Sequence, residues 1–293
     1  MNAVKEKAYA KINLYLDVVG KRDDGFHCIK TVMHSLSLCD DITVIVSDSR
    51  DLSIRLQING NKYLPTDDKN LAYRAADLFY KRLCKSAAVT IKLTKRIPVS
   101  AGLAGGSSDA AAVLRALNRM NKRPFTVKEL CRIGAELGSD VPYCILGKTA
   151  LCEGRGEILT RIRTNAVLNA VIAGADERVS TPMAYKALDV AYNDFKDVSL
   201  TDAEEKYRLF ETNFKSDKSI SKYIYNIFES VVLSECPKAK ALKEELLSLG
   251  AECAMMSGSG PSVFALFDTM DDALAAESEL ISKGYKAWIA HSV

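Results

Sequence analysis

The chain has 293 residues, 48% of them hydrophobic and 26% charged, with a formal net charge of +3. That length supports one large domain or two of ordinary size, and the composition is that of a globular protein, which excludes disordered and fibrous classes. The balanced charge, without a block of like residues, leaves no electrostatic footprint for nucleic acid, although a local patch for a small anion stays open; no apolar run reaches the ~18 residues that cross a membrane.

Alternation of apolar and polar residues predicts a first strand in "AYAKINLYLDVV", with Ile12, Leu14 and Leu16 on one face and Lys11, Asn13 and Tyr15 on the other. "CIKTVMHSLSL", "DDITVIVSD" and "LSIRLQI" follow as separate strands with turn residues between them. The first helix falls in "NLAYRAADLFYKRLC", with Leu71, Ala75, Leu78 and Leu83 on one side. A strand in "VTIKLT" leads through "KRIP" into a glycine-rich stretch. Helices are expected beyond it, over about 108–120 and in "TVKELCRIGAEL", the second opened by a Thr126/Glu129 capping box. "KTALCEGRGEILTRI" reads as a hairpin around Gly154 and Gly156, and "NAVLNAVIAGA" as a new strand. Several helices are expected from there to Gly250. The chain closes with strand "ECAMMS", turn "GSGP", strand "SVFALF", helix "DDALAAESELI" and strand "YKAWIAHS", a β-turn-β-α-β order that suggests a second α+β layer. The weakly patterned stretch at 160–165 is the expected boundary between an N-terminal domain, 1–163, and a C-terminal domain, 164–293.

Eight cysteines are scattered without a CxxC pair, which reads as reduced thiols. His27, His34 and His291 lack the spacing of a zinc site. The opening "MNAVKEKAYAKIN" carries charges where a signal peptide has its apolar region, so a cytosolic location is expected.

The stretch "PVSAGLAGGSSDAAAVLRALN" joins a glycine-rich turn to an alanine-rich helix. Backbone N–H groups at such a helix start have no intrahelical partner and suit a phosphate; Ser107 and Ser108 add hydroxyls. An ordinary strand-to-helix turn has the same composition. Neither GxxxxGK[ST] nor GxGxxG is present, and the "GKT" at 147–149 has Pro142 where a P-loop needs its first glycine. Three other stretches carry chemistry: Lys11 and Asn13 on one face of a core strand, Asp140 in the "GSDVP" turn, and the second glycine-serine turn in "MMSGSGPSVFALF". Singly they have plainer readings. Lys11 fits a solvated surface, Asp140 a turn or helix cap, and His27 a packing histidine. Ser257 and Ser259 fit a structural turn outside any GxSxG, while His34 and His291 read as structural and Trp288, near the end of the last strand, as core. Together, a glycine-rich loop, a strand lysine and an isolated carboxylate offer the anion positioning, charge neutralisation and hydroxyl orientation that phosphoryl transfer needs.

Taken together, "AKINLYL", "KRDDGFH", "IPVSAGLAGGSSDAA", "GSDVP" and "MSGSGPSVFALF" resemble the galacto-, homoserine, mevalonate and phosphomevalonate (GHMP) kinases nearly end to end. "AKIN" with "DGFH" narrows the resemblance to members that act on a cytidine-diphosphate sugar alcohol. The resemblance implies a two-domain α+β fold, with an N-terminal nucleotide-binding domain and a C-terminal ferredoxin-like domain around a central cleft. The implied reaction moves the γ-phosphoryl of ATP to the C2 hydroxyl of 4-diphosphocytidyl-2-C-methyl-D-erythritol, in non-mevalonate isoprenoid synthesis. Mg2+ is implied to travel with the nucleotide, with no dedicated protein metal site.

By position, Asp140 is implied as catalytic base and Lys11 as its electrostatic partner, lowering the carboxyl pKa by charge pairing. Asn13 is implied to orient the substrate hydroxyl. Pro98, Ser100, Ala101, Gly102, Leu103, Ala104, Gly105, Gly106, Ser107, Ser108 and Ala110 would wrap the ATP phosphates, with Asn70 on the adenine side. Phe26 would stack on cytosine, His27 would hydrogen-bond its edge, and Tyr185 would close the other face. Ser100, Ala101 and Ala104 stand where the family more often has glycine, and an alanine at 104 is tolerable if φ is negative there. Phe26 stands where tyrosine is usual. A homoserine- or mevalonate-type kinase stays open, as does a catalytically silent nucleotide sensor; the first should lack the cytosine clamp, and the second has no need of Lys11 with Asp140. The expected partners are small molecules, with neither nucleic acid nor membrane. Monomer and homodimer both stay open; the helices between 203 and 250 fit a dimer contact or internal packing.

Overall fold

The computed structural model describes residues 2–195, 200–215 and 220–293. In chain order the elements are β1 (Asn2–Lys21), β2 (His27–Ser47), β3 (Ser53–Asn59), α1 (Leu71–Leu83), β4 (Ala88–Thr94), α2 (Gly105–Met120), α3 (Val127–Ala135) and α4 (Val141–Leu146). Then follow β5 (Thr149–Gly154), β6 (Ile158–Arg161), β7 (Asn169–Gly174), α5 (Thr181–Ala191), α6 (Leu200–Lys215), β8 (Tyr225–Asn226) and α7 (Glu229–Val232). The last are α8 (Pro237–Ser248), β9 (Cys253–Met256), β10 (Val263–Phe267), α9 (Met270–Ser282) and β11 (Lys286–His291), and a left-handed 3-10 turn, Asn193–Phe195, follows α5. The chain forms two compact units: residues up to Ala10 with Leu38–Val99 and Ala104–Gly147, and Lys11–Ser37 with Ser100–Leu103 and Lys148–Val293.

In the first unit β3 runs parallel to β4, with Leu56 opposite Ile91, and β4 runs antiparallel to the end of β2, with Val44 opposite Ile91. The two strands expected between Cys28 and Asp48 are one, because the Asp40–Asp41 pair does not turn the chain. Successive strand side chains point to opposite faces. Asp40 is fully buried and accepts N–H groups from Arg96 (2.5 Å) and Ile97 (2.9 Å), while Asp41 pairs with Lys7 and Arg96 at the surface. The α1 face is also rotated from expectation. Ala72, Ala75, Ala76, Phe79 and Tyr80 are buried, and Leu71, Leu78 and Leu83 are only half-buried. The alanines permit close packing on α2, whose Ala110, Ala111, Ala112, Ala116 and Leu117 are fully buried, and Phe79 meets Phe125 edge-on at 5.5 Å. The capping box of α3 is present in full, with Thr126 and Glu129 exchanging hydrogen bonds.

In the second unit the β5–β6 hairpin pairs with the first part of β2, with Met33 opposite Ala150. Tyr15 and Leu16 of β1 pair in parallel with β8, a strand of two residues that no alternation could announce. A four-stranded antiparallel sheet runs β11-β7-β10-β9. Its Val171, Ala173, Val263, Ala265 and Phe267 share a core with Leu242 and Leu246 of α8 and Ala273, Ala276 and Leu280 of α9. The expected closing β-turn-β-α-β order is present; Trp288, expected in the core, is only half-buried. Among the described residues no helix is long and apolar enough to cross a membrane.

Candidate active site

In the second unit, β1 is buried on both faces from Lys11 to Val18. Lys11 and Asn13, two residues apart on one face, are 3% and 2% exposed. An ammonium in such a place needs partners to offset its lost hydration. The Lys11 Nζ donates to Asn13 Oδ1 and to the Gly102 carbonyl, each at 2.7 Å. Asn13 Nδ2 donates to Thr31 Oγ1 at 2.9 Å, and that hydroxyl donates to the Tyr15 carbonyl at 2.6 Å. Lysine has three N–H donors, so one on Lys11 has no partner among the described residues.

Gly102 sits at φ +71°, and a Cβ there would lie 2.1 Å from the Ser257 carbonyl oxygen. Only glycine fits both conditions. The Gly102 carbonyl also accepts from Ser257 Oγ at 3.0 Å, which ties the glycine-rich segment to the second glycine-serine turn. Asn226 of β8 braces that turn, donating from Nδ2 to the carbonyls of Met256 (2.7 Å) and Gly258 (2.8 Å). Ala101 and Leu103 beside Gly102 are buried, and Ser100 is exposed.

The remainder of the glycine-rich stretch lies in the first unit. The negative φ that would suit an alanine at 104 is not found: Ala104 is at φ +56°, as is Ser100. The left-handed turn at Ala104 reverses the chain at once, so α2 begins at Gly105, three residues earlier than expected, and Ser108 N–H reaches the Ala104 carbonyl at 2.8 Å. The first N–H groups of α2 have no intrahelical acceptor, and its first turn holds no acid. Ser108 Oγ donates to the Tyr9 carbonyl at 2.7 Å, whereas Ser107 is half-buried with no partner among the described residues. Gly106 is exposed, Pro98 half-buried and Ala110 fully buried.

Beneath this helix start lies a buried ion cluster that sequence reasoning missed. Lys95 Nζ is held between Asp40 and Asp109, at 2.8 Å from Asp109 Oδ2. Asp40 has two backbone N–H groups as well, but Asp109 Oδ1 has no partner. One ammonium cannot neutralise two buried carboxylates. Burial, reinforced by the Asp40 charge and opposed by Lys95, pushes the Asp109 carboxyl up to about 8.

Asn70 is the N-cap of α1: its Oδ1 accepts from Ala72 N–H and its Nδ2 donates to the Pro65 carbonyl, each at 2.9 Å. Asp140 is half-buried at the N-cap position of α4, a short helix with Pro142 in its first turn, and its carboxylate makes no capping bond. Asp140 belongs to the first unit and Lys11 to the second.

The three residues expected on a base lie in the second unit. Phe26 ends a tight turn in which Arg22 N–H donates to the Phe26 carbonyl at 2.8 Å; its ring is 53% exposed, with the Arg155 guanidinium 5.0 Å from the centroid. His27 is buried and stacks on Tyr185 at 4.6 Å and 24°, while Phe195 meets it edge-on at 5.7 Å. Its Nε2 lies 2.6 Å from Asp189 Oδ1, and Asp189 Oδ2 accepts from Lys21 at 2.8 Å. Nothing in the motifs points to Asp189. It lies four residues after Tyr185 on α5, one helical turn along the same face, and that spacing is the signal that could have found it. The structure thus brings together Lys11, Asn13 and Gly102, and separately His27 and Tyr185.

Among the described residues, no three His, Cys, Asp or Glu side chains gather to hold a metal. The first unit offers a helix start with unpartnered N–H groups and the carboxylate of Asp140, and the second offers a buried ammonium with a spare N–H.

Comparison with known proteins gives the family. The models of the GHMP kinases N terminal domain and the GHMP kinases C terminal region match residues 70–148 and 209–287. A Clostridium beijerinckii protein named 4-diphosphocytidyl-2-C-methyl-D-erythritol kinase is 42% identical over 292 residues, covering 99% of this chain and 100% of the relative. A crystal structure of 4-(cytidine 5'-diphospho)-2C-methyl-D-erythritol kinase superposes with a TM-score of 0.79 at 32% identity over 98% of both chains. A homoserine kinase from Cytophaga hutchinsonii, at 21% identity and a TM-score of 0.77 over 100% of this chain and 95% of its own, shares the fold. With both halves matched and near-full-length relatives at this identity, the chain belongs to the GHMP kinase family.

Proposed function

We propose that this kinase transfers the γ-phosphoryl of ATP to the C2 hydroxyl of 4-diphosphocytidyl-2-C-methyl-D-erythritol, giving the 2-phosphate and ADP. The observation that carries the reading is Lys11: a buried ammonium fixed by Asn13 and Gly102, with one N–H left over, is built to meet an anionic group. The first-turn N–H groups of α2 and the Ser107 hydroxyl suit the nucleotide phosphates, with Asn70 on the adenine side. Mg2+ arriving with ATP supplies further charge neutralisation on the phosphates.

In this reading Asp140 orients the C2 hydroxyl and takes its proton as the new O–P bond forms and the β–γ P–O bond breaks, with ADP leaving. Lys11 offsets charge on the transferring group, and Asn13 holds Lys11 and the hydroxyl in register. The exposed Phe26 ring and Tyr185 supply stacking faces for cytosine, and His27 reads its edge. The names of the near-full-length relatives support this substrate over others of the family.

The test is mass spectrometry of products from Mg-ATP with the cytidyl substrate, mevalonate or homoserine in separate reactions. One added phosphoryl group on the cytidyl compound alone is the expected result. Product from mevalonate or homoserine without any from the cytidyl compound would refute the substrate, and tight ATP binding without product from any acceptor would mark a nucleotide sensor.

A further inference from the structure

His27 is held by an apparatus larger than a packing histidine needs. Its Nε2 lies 2.6 Å from Asp189 Oδ1, and the second oxygen of Asp189 accepts from Lys21 at 2.8 Å. Lys21 also reaches Asp194 at 2.7 Å. Asp194 lies in Asn193–Phe195, three consecutive non-glycine residues with φ of 49°, 53° and 59°. A left-handed run of this kind costs roughly 1–2 kcal/mol per residue and persists only where its surroundings hold it. The run presses the Phe195 edge against the His27 ring at 5.7 Å and stacks Phe195 on Tyr192 at 5.5 Å. Burial pushes the Asp189 carboxyl up, and the hydrogen bonds from Lys21 and His27 outweigh it and hold it below its usual value, so it stays an acceptor.

When the imidazole is neutral, an obligate acceptor at Nε2 makes that nitrogen the one that carries the proton, and Nδ1 is then a lone pair. Among the described residues Nδ1 has no partner. We propose that Asp189, anchored by Lys21, is the specificity-determining positioning residue of the base site, fixing His27 with Nδ1 as an acceptor that selects cytosine over uracil. Cytosine presents its N4 amino group as a donor, whereas uracil presents an oxygen in the same place, which would face a lone pair with a lone pair. The inference rests on the cytidyl substrate proposed above.

The experiment measures kcat and KM of wild type, Asp189→Asn and Lys21→Met at pH 8 with the cytidyl substrate and its uridyl analogue, alongside melting temperatures. An asparagine can turn its amide N–H toward Nε2 and release the opposite tautomer. Wild type is expected to favour the cytidyl compound by roughly 100-fold or more in kcat/KM. Asp189→Asn should bring that ratio below about 10, through a higher KM for the cytidyl compound and a lower one for the uridyl, with kcat little changed. Lys21→Met, which leaves the carboxylate beside His27, should move the ratio the same way by a smaller factor. A ratio unchanged in Asp189→Asn, or an equal loss of kcat on both compounds, overturns the role of Asp189 while leaving the substrate standing. A wild type inert on the cytidyl compound removes both readings.

Discussion

Replacing Asp109 with asparagine should change how stability depends on pH, and the geometry sets both sign and size. Asp109 is 3% exposed, its Oδ1 lacks a partner, and its carboxyl is pushed up to about 8 from an ordinary 3.8 by burial and the Asp40 charge against the opposing Lys95. Between those values the folded protein holds a proton that the unfolded chain has lost. This stabilisation is full below about pH 4 and is lost as the pH rises toward 8, with a slope of about −1.4 kcal/mol per pH unit. His34, buried between Thr149 and Ser292, works in the opposite sense. Burial lowers it from 6.5 to about 4, so its stabilisation is lost as the pH falls below 6.5. The two slopes oppose each other below pH 6.5, and of the two only the Asp109 slope remains from pH 6.5 to 8, amounting to about 2 kcal/mol. The substituted asparagine cannot ionise, and its amide can donate to Asp40 while its oxygen keeps the bond from Lys95. Urea midpoints followed by far-ultraviolet circular dichroism suit the test, since the single tryptophan, Trp288, belongs to the other unit. Wild type should lose stability between pH 6.5 and 8 while Asp109→Asn stays flat. Parallel profiles for the two proteins would refute the reasoning.

Lys95→Met leaves Asp40 and Asp109 buried without their cation and should cost about 3–5 kcal/mol, a fall of roughly 10 °C in melting temperature by calorimetry. Ala104→Gly relieves a φ of +56° and should stabilise by about 0.5–1 kcal/mol, read as a small rise in melting temperature; a fall would show that the alanine methyl matters more than the backbone. Gly102→Ala places a Cβ 2.1 Å from the Ser257 carbonyl oxygen at φ +71° and should cost more than about 2 kcal/mol while weakening ATP binding, measured by calorimetric titration.

The elements that the sequence announced are those with a long local period or a local cap: the Thr126 capping box, the β5–β6 hairpin and the closing strand-helix-strand run. What it concealed depends on distant partners. A strand break reads before Asp40 because the partner that holds it inward, Lys95, lies 55 positions away. The leucines of α1 read as its buried face, but Ala72, Ala75 and Ala76 pack closer to α2. The sign of φ at Ala104 could not be read from its side chain, and the turn into α2 makes it positive. Of the candidate site, Lys11 with Asn13 was legible from strand spacing, and "AKIN" with "DGFH" narrowed the family resemblance. Asp189 and Lys21 were invisible as a pair, since 168 positions separate them.

The most direct test of the proposed kinase is turnover of Mg-ATP and the cytidyl-methylerythritol substrate by wild type and Asp140→Asn side by side, with binding of both ligands measured on each. The account predicts one phosphoryl group added by wild type and a fall in kcat of about 100-fold or more in the variant, with both ligands still bound. Equal turnover by the two proteins would contradict it, leaving Asp140 as the residue at the start of a short helix and no more.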